Sequence, residues 1–227
     1  MNKIEKKDIR SFSLEKLELF FQSSGEKVFR AKQVHKWLWQ KGVSSFDEMT
    51  NIPNSLRLTL AENFLINNII IDKNQKSKDG TIKNSIKLHD GLIVESVIIP
   101  SSRRITGCVS SQVGCSLDCV FCATSLLKRM RNLNSDEIFD QVVSISKQSE
   151  FYLNRPLTNI VFMGMGEPLL NYKNVMGAIK KITSRDGLGI SSRRITLSTS
   201  GIPKMIKKLA DDRVKFKLAV SLHSARQ

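Results

Sequence analysis

Four cysteines, Cys108, Cys115, Cys119 and Cys122, fall within fifteen positions, and the rest of the 227-residue chain has none. The last three stand in C-x3-C-x2-C order, with Phe121 just before the final thiol. A zinc site usually presents four ligands as C-x2-C pairs or with histidines at fixed offsets. Neither Cys108 nor His35, His89 or His223 completes such a set. Three closely spaced thiolates can instead hold three irons of a cubane cluster and leave the fourth iron open to a ligand that is not protein. An open iron is a place for reaction. Clustered thiols in a reducing compartment also favour metal or redox chemistry over lasting disulfides.

Elements must bring such a loop to a working position, and the sequence texture changes twice on the way to it. Residues 1–64 read as short helices: "SLEKLELFFQ" starts at a Ser cap, "KVFRAKQVHKWLWQKG" has helical spacing up to Gly42, and "NSLRLTLAENF" follows Pro53. They form a small helical domain, with Trp37 favoured for its core and Trp39 left open between packing and base stacking. Residues 65–100 alternate, with Asp79-Gly80 and Asp90-Gly91 between β segments, which implies a three-stranded antiparallel meander. From residue 101 onward, strands are separated by helical patterns, one of them capped at Ser135, which implies parallel βαβ units in an α/β fold. Four strand ends then share a rim: the cysteine loop, "GMGEP" at 164–168, "STSG" at 198–201 and "SLHS" at 221–224. Only four such strands are present, so a partial sheet or barrel with further strands missing is the expectation.

Composition narrows the partners. The chain is 41% hydrophobic and 25% charged, ordinary for a globular protein, and lacks both a signal-type h-region and a membrane-length apolar run. A cytoplasmic protein is expected. Lys and Arg number 36 against 21 acidic residues, and residues 101–227 carry 20 against 9. That basic half suits a polyanion, most simply nucleic acid; a solvated basic surface is the plainer alternative. "SSRRIT" occurs at 101–106 and again at 191–196, both times leading into a strand. Glu95 is the one charge within "LIVESVIIP", and is either an exposed-face residue or a working acid or base.

The strings "CVSSQVGCSLDCVFCAT", "NIVFMGMGEPLLNY", "ITLSTSGIPKMI" and "LAVSLHS", with "FRAKQVHKWLW" before them, carry a resemblance. The cysteine motif is similar to that of the radical S-adenosylmethionine (SAM) superfamily, whose fold is a partial parallel (βα)6 barrel. The strings together resemble the narrower family of bacterial dual-specificity rRNA and tRNA methyltransferases that modify carbon 2 of adenosine (RlmN-like). The resemblance implies that Cys115, Cys119 and Cys122 bind a 4Fe–4S cluster whose open iron chelates SAM. It implies further cofactor contacts at Gly166, Glu167, Ser198, Ser221, Leu222 and His223. Glu95 matches a proposed proton acceptor, and Cys108 matches a cysteine that releases product through a transient disulfide.

The same resemblance implies 23S rRNA and tRNA as substrates, flavodoxin or ferredoxin as electron donor, and a monomer. It assigns 1–64 to an accessory domain that touches RNA, 65–100 to a linking meander and 101–227 to the first part of the barrel. The family's methyl-carrying cysteine would lie beyond Gln227, so the chain is expected to be incomplete for turnover. Two other functions fit parts of the pattern: the sister methylation of adenine carbon 8, and a noncatalytic RNA-binding module with a structural metal.

Overall fold

Ser13 Oγ accepts a hydrogen bond from the Lys16 amide and starts helix α1 (Leu14–Ser23), which follows β1 (Lys7–Asp8) and a 3-10 turn at Ile9–Ser11. The computed structural model describes residues 6–117 and 119–222. Within α1, Leu17 and Phe21 sit one turn apart and are both buried. Helix α2 (Phe29–Lys36) continues through a wider π-type turn at Trp37–Lys41 and stops at Gly42, whose φ of 57° is left-handed. Pro53 precedes helix α3 (Asn54–Asn63), which leads into β2 (Phe64–Leu65), and β2 pairs in parallel with β1. These elements belong to one of two compact units, which runs up to Asn68 and also takes in Ser184–Gly189.

Trp39, left open in the sequence, is the buried tryptophan, and Trp37 is not the core residue expected. Trp39 is 2% exposed, whereas Trp37 is only half-buried, donates its indole N–H to Asn51 Oδ1 at 2.5 Å and lies beneath the Lys41 ammonium. The π-type turn shifts the register by which α2 would otherwise face the core, so a strict 3.6-residue period mislabels this pair. Trp39→Ala is expected to lower unfolding free energy by about 3–5 kcal/mol, and Trp37→Ala by clearly less, as read from urea denaturation.

The second unit holds Ile69–Thr183 and the chain from Ile190 onward. Strands β3 (Ile70–Lys76), β4 (Ile82–Lys87) and β5 (Ile93–Pro100) form the antiparallel meander. Asp79 and Asp90 accept from the Thr81 and Leu92 amides at the two turns. Strand β5 then pairs antiparallel with β6 (Ile105–Cys108), so the meander is continuous with the parallel sheet. Two short strands, β7 (Gln112–Val113) and β8 (Arg131–Asn132), bracket the cysteine segment.

Helix α4 (Ser135–Leu153) returns the chain to β9 (Asn159–Phe162), α5 (Tyr172–Thr183) to β10 (Ile195–Thr199), and α6 (Pro203–Asp211) to β11 (Lys217–Val220). The α4 cap is Asn134, not Ser135: Asn134 and Glu137 form a reciprocal capping box, and Ser135 Oγ donates to Asn174 O on α5.

The sheet order is β11-β10-β9-β6-β5-β4-β3, with β6, β9, β10 and β11 mutually parallel. Each crossover adds its strand on the same side, which is how a (βα) barrel grows; the sheet here is open and α/β, with no closed barrel among the described residues. Gly107 on β6 brings α4 close, since a Cβ there would lie 3.0 Å from Ile145 Cγ2. The buried side-chain amides of Asn84 and Gln148 bond reciprocally, at 2.7 and 3.0 Å, and fix the far half of α4 to the meander. Among the described residues no helix is long and apolar enough to cross a membrane.

Candidate active site

The parallel strands end at Cys108, Phe162, Thr199 and Val220, and a cleft of about 290 Å³ opens beyond the last three. Cys115, Cys119 and Cys122 line one wall. Gly166, Glu167, Ser198 and Ser221 line the other. Seven of the residues singled out in the sequence thus meet in one place. Leu222 is 74% exposed and does not line the cleft, and His223 lies outside the described residues.

The cysteine segment is tied at both ends. Gly114, with a φ of 72°, lets the chain pass so close to the returning strand that a Cβ would stand 2.3 Å from Lys128 O. Ser125 Oγ donates to Cys122 O at 2.6 Å and Cys119 O at 3.0 Å, folding those two thiols into one tight turn. Beyond it, Arg131 makes a fork-to-fork pair with Glu137, 2.8 Å on each side, and reaches Asp90 through Nε at 2.6 Å. Glu137, with a side chain only 2% exposed, also accepts from the Asn134 amide at 2.8 Å, and His89 Nδ1 stands 3.3 Å from it. This ion cluster anchors the returning strand to the start of α4 and to the β4–β5 turn.

All four cysteines are free of disulfides. Among the described residues no three His, Cys, Asp or Glu side chains converge closely enough to chelate a single ion. A cubane asks each thiolate to reach a different iron, and three soft donors that line one cleft suit that group.

A buried run that the sequence reading passed over, Ser110-Ser111-Gln112, connects this segment to the opposite wall. Gln112 accepts from the Glu167 amide and donates to Asn132 Oδ1, both at 2.8 Å. Ser110 Oγ accepts from the Met165 amide at 2.9 Å and donates to Glu95 O at 2.6 Å, while Asn171 Nδ2 bonds Ser111 O at 2.8 Å and Leu133 O at 2.7 Å. Three polar residues between Val109 and Val113 on a strand exit were the available signal, since buried polar side chains need partners. Above Gln112, Gly166 has a φ of 92°, and a Cβ there would lie 2.4 Å from Gln112 Cβ.

Glu167 is 4% exposed and bridges two loops. Its Oε1 accepts from the Leu169 amide at 3.0 Å, and its Oε2 accepts from the Ser200 amide at 2.8 Å and Ser200 Oγ at 3.1 Å. A carboxylate has about four acceptor positions, so capacity remains for a cationic ligand group. The Ser198 and Ser221 hydroxyls face each other at 3.1 Å across neighbouring strands.

Glu95 and Cys108 stand apart from the cleft. Glu95 pairs with Lys83 at 2.7 Å, half exposed, and lines an adjoining cavity of about 510 Å³ that shares Thr124 with the cleft. Cys108 is 7% exposed, and burial pushes its thiol up to about 11, only partly offset by a backbone hydrogen bond at Met163. Peptide mapping after iodoacetamide treatment at pH 8 is expected to show Cys108 as the last of the four to react, because reaction needs an exposed thiolate.

Comparison with known proteins adds sequence relatives to this geometry. The model of the ribosomal RNA large subunit methyltransferase N-terminal domain matches residues 7–66, and that of the radical SAM superfamily matches 109–227. The chain is 65% identical to the probable dual-specificity RNA methyltransferase RlmN of Christiangramia forsetii, over 99% of this chain and 64% of that protein. It is 46% identical to the dual-specificity RNA methyltransferase RlmN of an Anaeromyxobacter species, over 96% of this chain and 58% of that protein. The crystal structure of a radical SAM methyltransferase from Sphaerobacter thermophilus superposes with a TM-score of 0.87 at 36% identity, covering 96% of this chain and 64% of that one. The chain thus spans a little under two thirds of the length of these relatives.

Proposed function

The chain belongs to the radical SAM superfamily, and from that premise we propose that it carries the cofactor site of an RNA methyltransferase acting on carbon 2 of adenosine in 23S rRNA and in tRNA. The observation that carries this reading is the meeting of Cys115, Cys119 and Cys122 with Gly166, Glu167, Ser198 and Ser221 in one cleft at the strand ends.

The superfamily's cofactors are a 4Fe–4S cluster and SAM. When bound and reduced, the cluster supplies the electron that breaks a carbon–sulfur bond of SAM. The three cysteine thiolates would hold three irons. The backbone at Gly164 and Gly166 approaches the cleft without side chains, and the remaining lone pairs of Glu167 suit the ammonium group of the methionine moiety. Ser198 and Ser221 offer hydroxyls to the same ligand, with Leu222 and His223 following on the chain. Glu95, beside the cleft, is the proposed acceptor of the adenine proton. Cys108 is the proposed thiol that releases product through a disulfide, a role for which its covered position must first open. RNA supplies the substrate, and flavodoxin or ferredoxin the electron.

Anaerobic reconstitution is expected to give brown protein with about four irons per chain, and dithionite with SAM is expected to yield 5′-deoxyadenosine. Replacing Cys115, Cys119 or Cys122 with Ser should abolish both. Mass spectrometry of RNA modified by a form of the enzyme that also carries the methyl-carrying cysteine is expected to place the methyl at carbon 2, with carbon 8 as the contrary result. A colourless protein that keeps stoichiometric zinc after this treatment would overturn the reading.

A further inference from the structure

The hexapeptide "SSRRIT", present at 101–106 and 191–196, takes no part in the cleft. Both copies end on the first residues of a parallel strand, Ile105 of β6 and Ile195 of β10. Strand β9 lies between those two, so the arginine pairs stand two strand spacings apart, about 10 Å, on the rim opposite the cysteines. Arg155, just before β9, donates to Ser101 O at 2.8 Å and Ser102 O at 3.2 Å and pins the first copy in place. Arg213 and Lys215 precede β11, and Lys217 begins it.

The four lead-in segments, 101–104, 154–158, 191–194 and 213–217, contain eight Lys and Arg and no Asp or Glu. Arg103, Arg104, Arg193, Arg194, Arg213 and Lys215 are all exposed. None of these six takes part in an ion pair among the described residues, and the nearby Asp212 is already engaged by Lys208 and Tyr172. The uncompensated row is mostly arginine, whose planar fork matches phosphate oxygens. It also has no exposed large apolar centre among its described residues: Leu157 is buried, and Val214 and Phe216 are half-covered, lining with Met176 and Ile179 a recess of about 510 Å³. A protein partner or a bilayer surface asks for such a centre, whereas a sugar–phosphate backbone is positioned by charge and hydrogen bonds alone.

We propose that the N-terminal rim of the parallel sheet is a second RNA-contacting surface, where Arg103, Arg104, Arg193 and Arg194 grip the phosphate backbone away from the modified base. The proposal rests on the reading that RNA is the substrate. It adds a docking site that the cleft does not contain.

The test is fluorescence anisotropy of a labelled tRNA transcript bound to the reconstituted chain across a KCl series. Each phosphate contact contributes about 0.7–0.9 to the slope of log K against log salt, so R103Q/R104Q/R193Q/R194Q is expected to reduce that slope by about 3. The charge-keeping R103K/R104K/R193K/R194K should retain the slope. K73Q/K76Q/K78Q/K87Q, which removes the same charge from the meander, should retain it too. Thermal melts confirm that each variant is folded, and iron content and SAM cleavage are expected to be unchanged in all three. An unaltered slope in the Arg→Gln variant overturns the proposal, as does an equal loss in the meander variant. Loss of binding to phosphatidylserine vesicles by the Arg→Gln variant, with RNA binding intact, assigns the rim to a membrane and overturns it as well. If the unmodified chain binds no tRNA while still cleaving SAM, the RNA reading falls together with the rim.

Discussion

Glu137→Ala is expected to lower the unfolding free energy of the sheet-bearing unit by about 3–5 kcal/mol, the usual range when one partner of a buried ion pair is removed. The reason is the number of donors that would lose their acceptor at once: both terminal nitrogens of Arg131, the Asn134 amide at the start of α4 and the side chain of His89. Arg131 is about a quarter exposed, so water recovers part of its solvation and holds the loss toward the lower end. Glu137→Gln keeps an acceptor for the capping amide and should lose less. Urea denaturation followed by the signal of the second unit distinguishes the two, and hydrogen exchange should quicken in the segment that returns from the cysteines to α4. The same cluster predicts acid sensitivity. The Arg131 guanidinium beside Asp90 holds its carboxyl below the usual range. A depressed carboxylate contributes stability above its unfolded pKa of about 3.9, and this is lost as pH falls through the folded value. A loss of stability steeper below pH 4 in the parent than in Asp90→Asn is the expected result.

Gly166→Ala is expected to weaken SAM binding by roughly a hundredfold while iron loading by the three cysteines persists. The new Cβ would lie 2.4 Å from Gln112 Cβ, and Gln112 has no room to retreat: it is fully buried and bonded at both ends, to the Glu167 amide and to Asn132. A φ of 92° adds backbone strain for any residue with a side chain, of the order of 1–3 kcal/mol. The loop before Glu167 must therefore move, taking the Glu167 carboxylate away from Ser200. Two or three kcal/mol of misplacement corresponds to roughly a hundredfold in affinity. Equilibrium dialysis with SAM, alongside iron analysis of the same sample, measures both halves of the expectation.

Elements set by local rules were legible in the sequence. The Asp-Gly pairs marked both turns of the meander, Ser13 marked the start of α1, and the alternation of strand and helix patterns from residue 101 implied the parallel order β6, β9, β10, β11. The cleft was legible for the same reason, because parallel strands bring their C-terminal ends together whatever their spacing in the chain. Features decided by tertiary partners were not. Asn134 outranks Ser135 as cap because Glu137 can answer it and Asn174 takes the serine hydroxyl. Glu137 looks in the sequence like any acidic residue in a first helical turn, and only Arg131 and His89 make it a buried anchor. The burial of Cys108, which ends β6 between its register partners Val97 and Val161, was likewise not legible from its place in the cysteine segment. The meander, bounded in the sequence at residue 100, is joined to the parallel strands through the β5–β6 ladder.

The first unit is assembled from two stretches of chain, since Ser184–Gly189 belongs to it and Arg185 O accepts from Gln40 Nε2 at 2.9 Å. On a ribosome its helices therefore emerge long before the piece that completes them. At about 5–20 residues per second, synthesis leaves them waiting roughly 6 to 23 seconds for that closing turn. The opening helices thus spend part of their life as a nascent, partly built structure, open in that interval to chaperones and proteases.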